Sequence, residues 1–343
     1  MIHGVRGDEI SAGGGIGGGS VRSPADPRDE RPPSLSALAR RRGFGRALDR
    51  LFGWTAAVSG TLVLLILAYM VLTTTNTALP VFTSEGISFV TGTEWLPSRG
   101  VYGILPFIYG TLVTSIIAVV IAVPISLGVS LYLTELAPSW IKGPIAYAVD
   151  LLAAVPSVVY GLWGVFVLLP LFLQPAAEAL SSVFGFLPIF KAPATGLSYF
   201  GAGVVLAIMI IPIISALARE VFRAVPDDDR LAAYALGATR WEMIWEAVIP
   251  RSRPGLVGAT MLGLGRALGE TIAVALLVGS RPTISASIVQ PGYSMAAVIA
   301  NQFPEADATG IRALVGVGVV LFAITIVINM AARLFVWRLV AER

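Results

Sequence analysis

The stretch LVGATMLGLGRALGETIAVALLV, residues 256–278, is apolar and rich in glycine, and it is long enough to cross a bilayer, which takes roughly 20 residues. Two charged residues, Arg266 and Glu270, lie near its middle. One charged side chain at a bilayer centre costs about 2.5–3.5 kcal/mol, so an unpaired Arg and Glu would strongly oppose insertion. In a continuous helix their spacing of four residues places them on one face, where they can form a salt bridge or bind a charged solute together. The pair is therefore the main candidate for a functional site.

The composition predicts an all-α polytopic membrane protein that contacts membrane lipids. Hydrophobic residues make up 56% of the 343 residues and charged residues 13%, with a mean hydropathy of +0.80, whereas soluble domains carry about 25% charged residues. The chain has no cysteine, and its single histidine is His3, so we expect neither a metal site nor histidine-based catalysis. Neither Lys142 nor Lys191 follows a glycine, which excludes a phosphate-binding P-loop and ATP hydrolysis by this chain.

Six transmembrane helices are predicted at about residues 52–74, 106–133, 145–171, 199–218, 255–279 and 312–336. An even number of spans places both termini on the same side of the membrane. Arginines cluster before the first span, between the fourth and fifth, and after the sixth, and cytoplasmic segments collect Lys and Arg. We therefore expect cytoplasmic termini in the plasma or inner membrane. The net charge of +3 then reflects topology, and no nucleic-acid partner is expected.

Two domains are expected along the chain. Residues 1–45 contain GGGIGGGS and a run rich in Pro, Asp and Arg, a composition that is typical of a disordered cytoplasmic tail. Residues 46–343 then form the six-helix membrane domain. Four prolines inside the predicted spans remove backbone hydrogen bonds and are expected to kink their helices: Pro124, Pro156, Pro170 and Pro212.

The loop at about residues 219–254 is long, charged and patterned, which distinguishes it from the other loops. The acidic run 227–229 after Pro226 is a helix start signal, and a short helix is expected at Leu231 to Leu236, stopped by Gly237. A second helix is expected from Trp241 to Val248, ending at Pro250. Two short helices carrying exposed aromatic residues form either a docking surface for a partner or an interfacial helix that lies among lipid headgroups.

This loop resembles the EAA loop of the permeases of ABC importers, which runs E-A-A, three residues, Gly, then nine residues and I-x-L-P. The match is carried by Ala232, Ala233, Gly237 and Pro250. The sequence departs from the pattern at Leu231, Ala247 and Ile249, where Glu, Ile and Leu are usual. In that family the loop seats in a cleft of the ATP-hydrolysing subunit. The resemblance therefore implies ATPase coupling through Ala232, Ala233, Gly237, Ala238, Trp241 and Pro250.

A narrower resemblance covers most of residues 85–340. The segments TGTEWLP (91–97), LPFIYGTLVTS (105–115), DLLAAVPSVVYGLWG (150–164) and GRALGETIAV (265–274) are similar to those of PstC-type permeases of phosphate importers. The resemblance implies a type I ABC importer permease architecture. It also implies a PstA-like sister permease, a dimer of PstB-like ATP-binding subunits that carry ATP and magnesium, and an extracytoplasmic PstS-like phosphate-binding protein.

The same resemblance assigns Arg266 and Glu270 to phosphate passage, the two residues to which the cost of buried charge already points. Arg offers a planar fork that matches an oxyanion and does not deprotonate, and a carboxylate can accept a hydrogen bond from protonated phosphate while repelling sulfate. Thr271, Ser157 and Tyr160 are candidate hydroxyl donors to the pathway, although such hydroxyls commonly bond to a neighbouring helix.

Other function classes are compatible with parts of the sequence. A molybdate, sulfate or phosphonate importer would use the same architecture. An ATP-independent secondary transporter or channel would also place charges in the membrane, but it would not need an EAA-like loop. A membrane enzyme could use Glu270 or Asp150 as an acid or base, but no nucleophile or metal cluster accompanies either residue, and Asp150 is expected in solvent or capping near the end of its span.

Overall fold

The computed structural model describes residues 35–191 and 196–341, with side chains for residues 49–191 and 196–334. The chain divides into two units, residues 1–67 and 68–343, and helix α1 runs across the boundary between them. The first 34 residues of the predicted tail lie outside the described residues. Helix α1 begins at Leu35, before the expected end of that tail at residue 45.

Helices are the main secondary structure of the described residues, which also contain one short hairpin. The helices are α1 (Leu35–Glu85), α2 (Ser88–Thr91), α3 (Leu105–Leu131), α4 (Ser139–Ala153), α5 (Ser157–Trp163), α6 (Gln174–Phe184), α7 (Tyr199–Arg223), α8 (Asp227–Ala235), α9 (Arg240–Met243), α10 (Ile249–Gly269), α11 (Ile272–Leu277), α12 (Met295–Gln302) and α13 (Ala308–Ala341). Strands β1 (Trp95–Leu96) and β2 (Val101–Tyr102) pair antiparallel, with Trp95 opposite Tyr102. The predicted all-α class is therefore confirmed.

Five stretches of the described chain are long and apolar enough to span a membrane: Asp49–Glu85, Leu105–Leu136, Ser157–Phe184, Tyr199–Arg223 and Ala308–Leu334. Four of them coincide with the first, second, fourth and sixth predicted spans. The predicted third span is misplaced, because the chain leaves helical geometry between Ala153 and Ser157 and the spanning helix begins only after that break. The predicted fifth span is not one helix, since it divides into α10 and α11 around Glu270 and Thr271.

The four prolines that were predicted to kink their helices have different effects in the structure. Pro124 and Pro212 lie inside α3 and α7, which continue through them, whereas Pro156 occupies the N-cap of α5 and ends helical geometry there. A proline lacks the N–H of a helical bond and biases the preceding residue out of the helical region, which accounts for the break. Pro170 lies within a π-helical segment, Gly164–Leu173.

A second π-helical segment, Ile244–Val248, explains why the second loop helix does not end at Pro250 as predicted. The Ile249 N–H donates to the carbonyl of Ile244, five residues back, so the bonding register shifts just before the proline. The wider turn accommodates a residue that has no N–H to donate. Helix α9 therefore continues through this segment and Pro250 into α10.

Helix α7 lies at the centre of the second unit and is the most buried of the candidate spans. It packs along α3, where the Ser130 hydroxyl donates to the carbonyl of Ser215 at 2.9 Å and a Cβ added to Gly203 would meet Ile117 at 2.5 Å. It also packs along α10, where a Cβ added to Gly255 or Gly263 would lie 2.6 Å from α7 side chains. Small residues at these contacts let the helix backbones approach closely, which is how helices associate in a membrane.

A buried arginine joins α7 to α4. The Arg219 side chain is 5% exposed, and its Nη2 lies 2.5 Å from Oδ1 of Asp150, which is 51% exposed. No described residue hydrogen-bonds Nη1 of Arg219. Asp150 is therefore the described residue that balances the charge of Arg219, and its own side chain is only partly solvated.

We expect Asp150→Asn to destabilise the protein, because it leaves the buried Arg219 without a counter-charge. Breaking a buried pair costs about 3–5 kcal/mol, and the partial exposure of Asp150 places the effect at or below the low end of that range. The measurement is the thermal unfolding midpoint of the purified protein in detergent. The matched control is Glu220→Gln, which breaks an exposed pair with Arg223 at 2.9 Å and should leave the midpoint nearly unchanged. Equal midpoints for the two variants would contradict a structural role for the buried pair.

Candidate functional site

The candidate site is the break between α10 and α11. Helix α10 ends at Gly269, Glu270 adopts an extended conformation with φ −70° and ψ 129°, and α11 begins at Ile272. Glycine has a low helix propensity, and Thr271 and Ile272 are β-branched, so the local sequence favours interruption here. Backbone that is not helical at membrane depth is tolerated only where protein covers it or where it lines a cavity. The break is therefore a candidate position for a binding site.

The charged pair lies at this break with unequal exposure. The Glu270 side chain is 7% exposed and the Arg266 side chain 42% exposed, and Nη2 of Arg266 lies 4.0 Å from Oε2 of Glu270. That distance is the outer limit of a salt bridge and is too long for a hydrogen bond. The guanidinium is therefore balanced in charge while its hydrogen-bond donors stay free of Glu270, a state in which it can bind an anion.

Arg266 also lines a groove of about 1010 Å³ between α10 and α13. Gly258 and Gly265 form part of its wall on α10, and a Cβ added to either would meet no atom within 4 Å. Asn329 and Arg333 supply polar atoms from α13, while the remaining lining is largely apolar. The glycines that face this groove thus leave room beside Arg266, whereas Gly255 and Gly263 serve the packing against α7.

A second break, residues 154–156, lies near the first. Gly161 of α5 packs on α11, where an added Cβ would lie 3.0 Å from Cα of Ala273 and 2.8 Å from Cδ1 of Leu276. Gly164 repeats this contact one turn later against Leu277. These contacts tie α5, which carries the predicted residues Ser157 and Tyr160, to α11, which follows Glu270 and Thr271.

The three candidate hydroxyl groups differ in what they contact. The Tyr160 hydroxyl donates to the carbonyl of Leu152 at 2.8 Å and so closes the break between α4 and α5. The Thr271 hydroxyl donates to the carbonyl of Gly269 at 3.3 Å across the other break. Ser157 is half-buried, and no described residue hydrogen-bonds its hydroxyl. Ser157 is thus the one of these three whose hydroxyl the described structure leaves available to a solute.

The loop that follows α7 forms a second candidate surface. Helix α8 ends beside Gly237, whose φ of +85° is the left-handed conformation that favours glycine. Thr239 then starts α9 with a capping box, in which its hydroxyl accepts from the N–H of Glu242 and its own N–H donates to the Glu242 carboxylate at 2.7 Å. Hydrogen bonds from the N–H and the hydroxyl of Thr239 lower the pKa of Glu242. The predicted helix, glycine stop and second helix start are therefore all present.

Apolar side chains project from this surface into solvent: Leu231, Tyr234, Leu236, Trp241 and Trp245. The two tryptophan rings contact each other edge to face, with centroids 6.0 Å apart. Ala232 and Gly237 are exposed, whereas Ala233 is half-buried and packs on the cluster around Phe222. Ala238 and Pro250 are also half-buried. Of the six residues predicted to couple to the ATPase, Ala232, Gly237 and Trp241 are thus accessible to a partner.

Ion pairs that the sequence analysis missed fix this surface to the spanning helices. Arg230 lies 2.9 Å from the carboxylate of Glu135, at the end of the second span, and donates to the carbonyl of Phe222 at 2.8 Å. Arg240 donates to the backbone carbonyl of Glu135. A sequence signal existed, since Glu135 is an acid at the end of an apolar span and the loop offers several arginines. That signal did not identify which arginine pairs with it.

The chain matches known families over most of its length. Residues 125–341 match the family of binding-protein-dependent transport system inner membrane components. The phosphate transport system permease protein PstC of Xylella fastidiosa is 47% identical over 259 residues, which cover 74% of this chain and 80% of that protein. PstC of Pasteurella multocida is 42% identical over 297 residues, covering 85% and 92%, and PstC 2 of Mycobacterium tuberculosis is 39% identical over 313 residues, covering 88% and 95%.

Solved structures also align with the chain. A chain of the inward-facing MetNI methionine ABC transporter covers 69% of this chain and 94% of its own length, with a TM-score of 0.49 and 20% identity. The family match extends over more than half of the chain, and the PstC relatives are covered over most of their length. With its long apolar helices, the chain is a multi-pass inner-membrane protein that belongs to the binding-protein-dependent transport system inner membrane components and, within them, to the PstC permeases.

Proposed function

We propose that this chain is the permease subunit of an ATP-driven importer of inorganic phosphate, and that phosphate passes Arg266 and Glu270 on its way across the membrane. The observation that carries the proposal is the loosely paired, partly exposed guanidinium at a helix break inside the membrane region, 4.0 Å from a buried carboxylate. Relatives of 39–47% identity are named phosphate transport system permeases, which supports phosphate as the substrate.

The chemistry of the pair suits a phosphate anion. A planar guanidinium can donate two parallel hydrogen bonds to an oxyanion that has lost its water, and it stays charged at every physiological pH. Glu270 balances Arg266 while the path is empty. Its carboxylate can also accept a hydrogen bond from a protonated phosphate oxygen, which fully ionised sulfate lacks. Additional hydroxyl donors to the anion are Ser157, Thr271 and Tyr160. The hydroxyls of Tyr160 and Thr271 already donate to backbone carbonyls, so the Ser157 hydroxyl is the one left available to the anion.

The surface of α8 and α9 is proposed to seat on the ATP-hydrolysing subunits. Its apolar side chains are exposed to water, and their burial in a cleft of another subunit would be favourable. Its anchoring through Arg230 and Arg240 gives it a rigid base from which to transmit force. Leu231 replaces the usual Glu with an exposed apolar residue, and this replacement favours an apolar counterpart on the ATPase.

The remaining assembly follows from the family. The proposed system contains a PstA-like sister permease, a PstB-like ATPase dimer that holds ATP and magnesium, and an extracytoplasmic PstS-like binding protein. This chain contributes half of the pathway, through a membrane domain of residues 46–343 and a coupling loop at about 219–254, preceded by a tail of residues 1–45. The distribution of arginines supports a cytoplasmic location for the coupling loop and both termini.

The proposal is tested with the purified complex in proteoliposomes, by measuring ATPase activity and uptake with phosphate, sulfate and molybdate. Phosphate alone should stimulate both activities. Stimulation by sulfate or molybdate in place of phosphate would reassign the substrate within the same importer class. Uptake that persists without ATP would indicate a secondary transporter instead.

We expect Arg266→Gln to lower phosphate uptake at least tenfold, since a hydrogen bond to a charged group contributes about 1.5–3 kcal/mol. Arg266→Lys keeps the charge but loses the fork, so its activity should lie between the two. Uptake of labelled phosphate by the complex is the measurement. The matched control is Arg281→Gln, an exposed arginine outside the predicted spans, which should transport normally. If Arg266→Gln transports like the parent, the pair is only a salt bridge that helps the segment to insert.

We expect Glu270→Gln to assemble normally, because a contact of 4.0 Å gives Glu270 little value as a structural brace. A role in the pathway instead predicts an altered rate of phosphate uptake or a weaker rejection of sulfate. Yield of the monodisperse complex and the ratio of phosphate to sulfate uptake are the two measurements. A collapse in yield would show that the carboxylate is needed for folding.

Coupling is tested at Gly237 and Ala232. Gly237→Val puts a β-branched residue at φ +85°, with a strain of about 1–3 kcal/mol, and Ala232→Arg introduces a bulky charge on the exposed face. Both should abolish ATP-driven uptake while leaving the permease in the membrane. Ala233→Arg also blocks the seat but disturbs the permease's own packing, so Ala232→Arg is the cleaner variant. The control Ala232→Ser should stay active, and normal uptake by Ala232→Arg would contradict docking through this face.

A further inference from the structure

A second cavity lies at the end of the bundle opposite to α8 and α9. It has a volume of about 520 Å³ and lies beside the β1–β2 hairpin, which immediately precedes α3. At its other end the same span reaches Glu135, the residue that holds Arg230. The cavity and the coupling surface are therefore separated by the length of a membrane-spanning helix. Its lining includes Trp95, Ser98, Tyr102, Gln302, Glu305 and Asp307.

The cavity has a fixed aromatic wall. Trp95 and Tyr102 are buried, and their rings meet edge to face with centroids 5.2 Å apart. The Trp95 indole N–H donates to Oε1 of Gln302 at 2.8 Å, which ties the hairpin to α12. These contacts hold both rings in place before any ligand arrives.

Unpartnered polar groups face the space beside that wall. Tyr102 is 3% exposed and lines the cavity, and no described residue hydrogen-bonds its hydroxyl. Burial, together with the nearby carboxylates of Asp307 and Glu85, raises the pKa of Tyr102. Asp307 caps α13 with one oxygen, which accepts from the N–H of Gly310 at 2.7 Å, and Glu305 forms no ion pair with a described residue.

We propose that this cavity receives a lysine or arginine side chain of the extracytoplasmic binding protein. The inference rests on the proposed function, which supplies that partner. The alkyl stem of such a side chain packs on Trp95 and Tyr102, and its cation lies between Glu305 and Asp307. The Tyr102 hydroxyl, which has no partner in the free permease, gains one at the cationic head or at the partner's backbone.

The chemistry of the cavity argues against other occupants. Two carboxylates at its rim repel the anionic headgroups of lipids. The described residues contain no cluster of three or more His, Cys, Asp or Glu side chains that could hold a metal ion. The aromatic wall suits a long organic cation better than a hydrated ion, since cation–π contact and stem packing act together.

The test is the ATPase activity of the reconstituted complex, titrated with its phosphate-loaded binding protein at two salt concentrations. Asp307→Asn removes charge but keeps an oxygen that can cap α13, and Glu305→Gln removes the second charge. We expect the double variant to raise the half-saturating concentration of binding protein about three- to tenfold with an unchanged maximal rate. Added salt should weaken the parent more than the double variant. Tyr102→Phe, which keeps the ring, should give a smaller increase of about two- to threefold.

The matched control is Glu178→Gln, which removes an exposed carboxylate from α6 and should saturate like the parent. A double variant that saturates like the parent would overturn the inference while leaving phosphate transport through Arg266 intact. Loss of the sister permease from the purified double variant would also overturn it, because the occupant would then be that subunit. A parent complex that responds to no binding protein would contradict the proposed function itself, and the assigned occupant with it.

Discussion

Every backbone N–H and C=O within a bilayer must be satisfied by protein, and the architecture around Glu270 depends on that constraint. The helix stops at Gly269 and resumes at Ile272, so the backbone between them lacks helical hydrogen bonds, within the stretch that the sequence predicts to cross the bilayer. Helix α5 covers one side of the break through the glycine contacts of Gly161 and Gly164. The arginine that precedes the break lines a groove between α10 and α13. The packing of α5 on α11 and the groove between α10 and α13 thus lie on the two sides of the break in sequence.

Apolar length was sufficient to locate most of the fold. Four of the six predicted spans coincide with long apolar helices, because the thickness of the bilayer fixes the length that such a helix needs. The two breaks were not predicted, since an average over the roughly 20 residues of a span does not resolve an interruption of two or three residues such as 154–156 or 270–271. A proline in such a stretch has more than one outcome: Pro212 lies within a helix and Pro156 stands where one ends.

The residues of the candidate site were predicted more accurately than its geometry. The energetic cost of buried charge identified Arg266 and Glu270 without any structure. The assumption of one helical face did not foresee that Glu270 would be buried at a helix end while Arg266 stays accessible. In the coupling loop, the acidic run and the glycine stop predicted the existence of α8, because both are local signals, although the helix begins at Asp227 and not at the expected Leu231. The pairing of Arg230 with Glu135 joins residues far apart in sequence and could not be read from local pattern.

The continuity of α9 with α10 connects the two candidate surfaces. The π-helical segment Ile244–Val248 carries the helix through Pro250, so that one helical path runs from Trp241 on the exposed surface to Arg266 beside the break. Had the helix ended at the proline, movement of the docking surface would be absorbed in a loop. In the proposed function a continuous path would carry a displacement of α9 to Arg266, while Glu270 lies beyond the end of that helix, beside α11, which packs on α5. Under the proposed function, force applied at the ATPase therefore changes the distance between Arg266 and Glu270, and with it the affinity of the site for an anion.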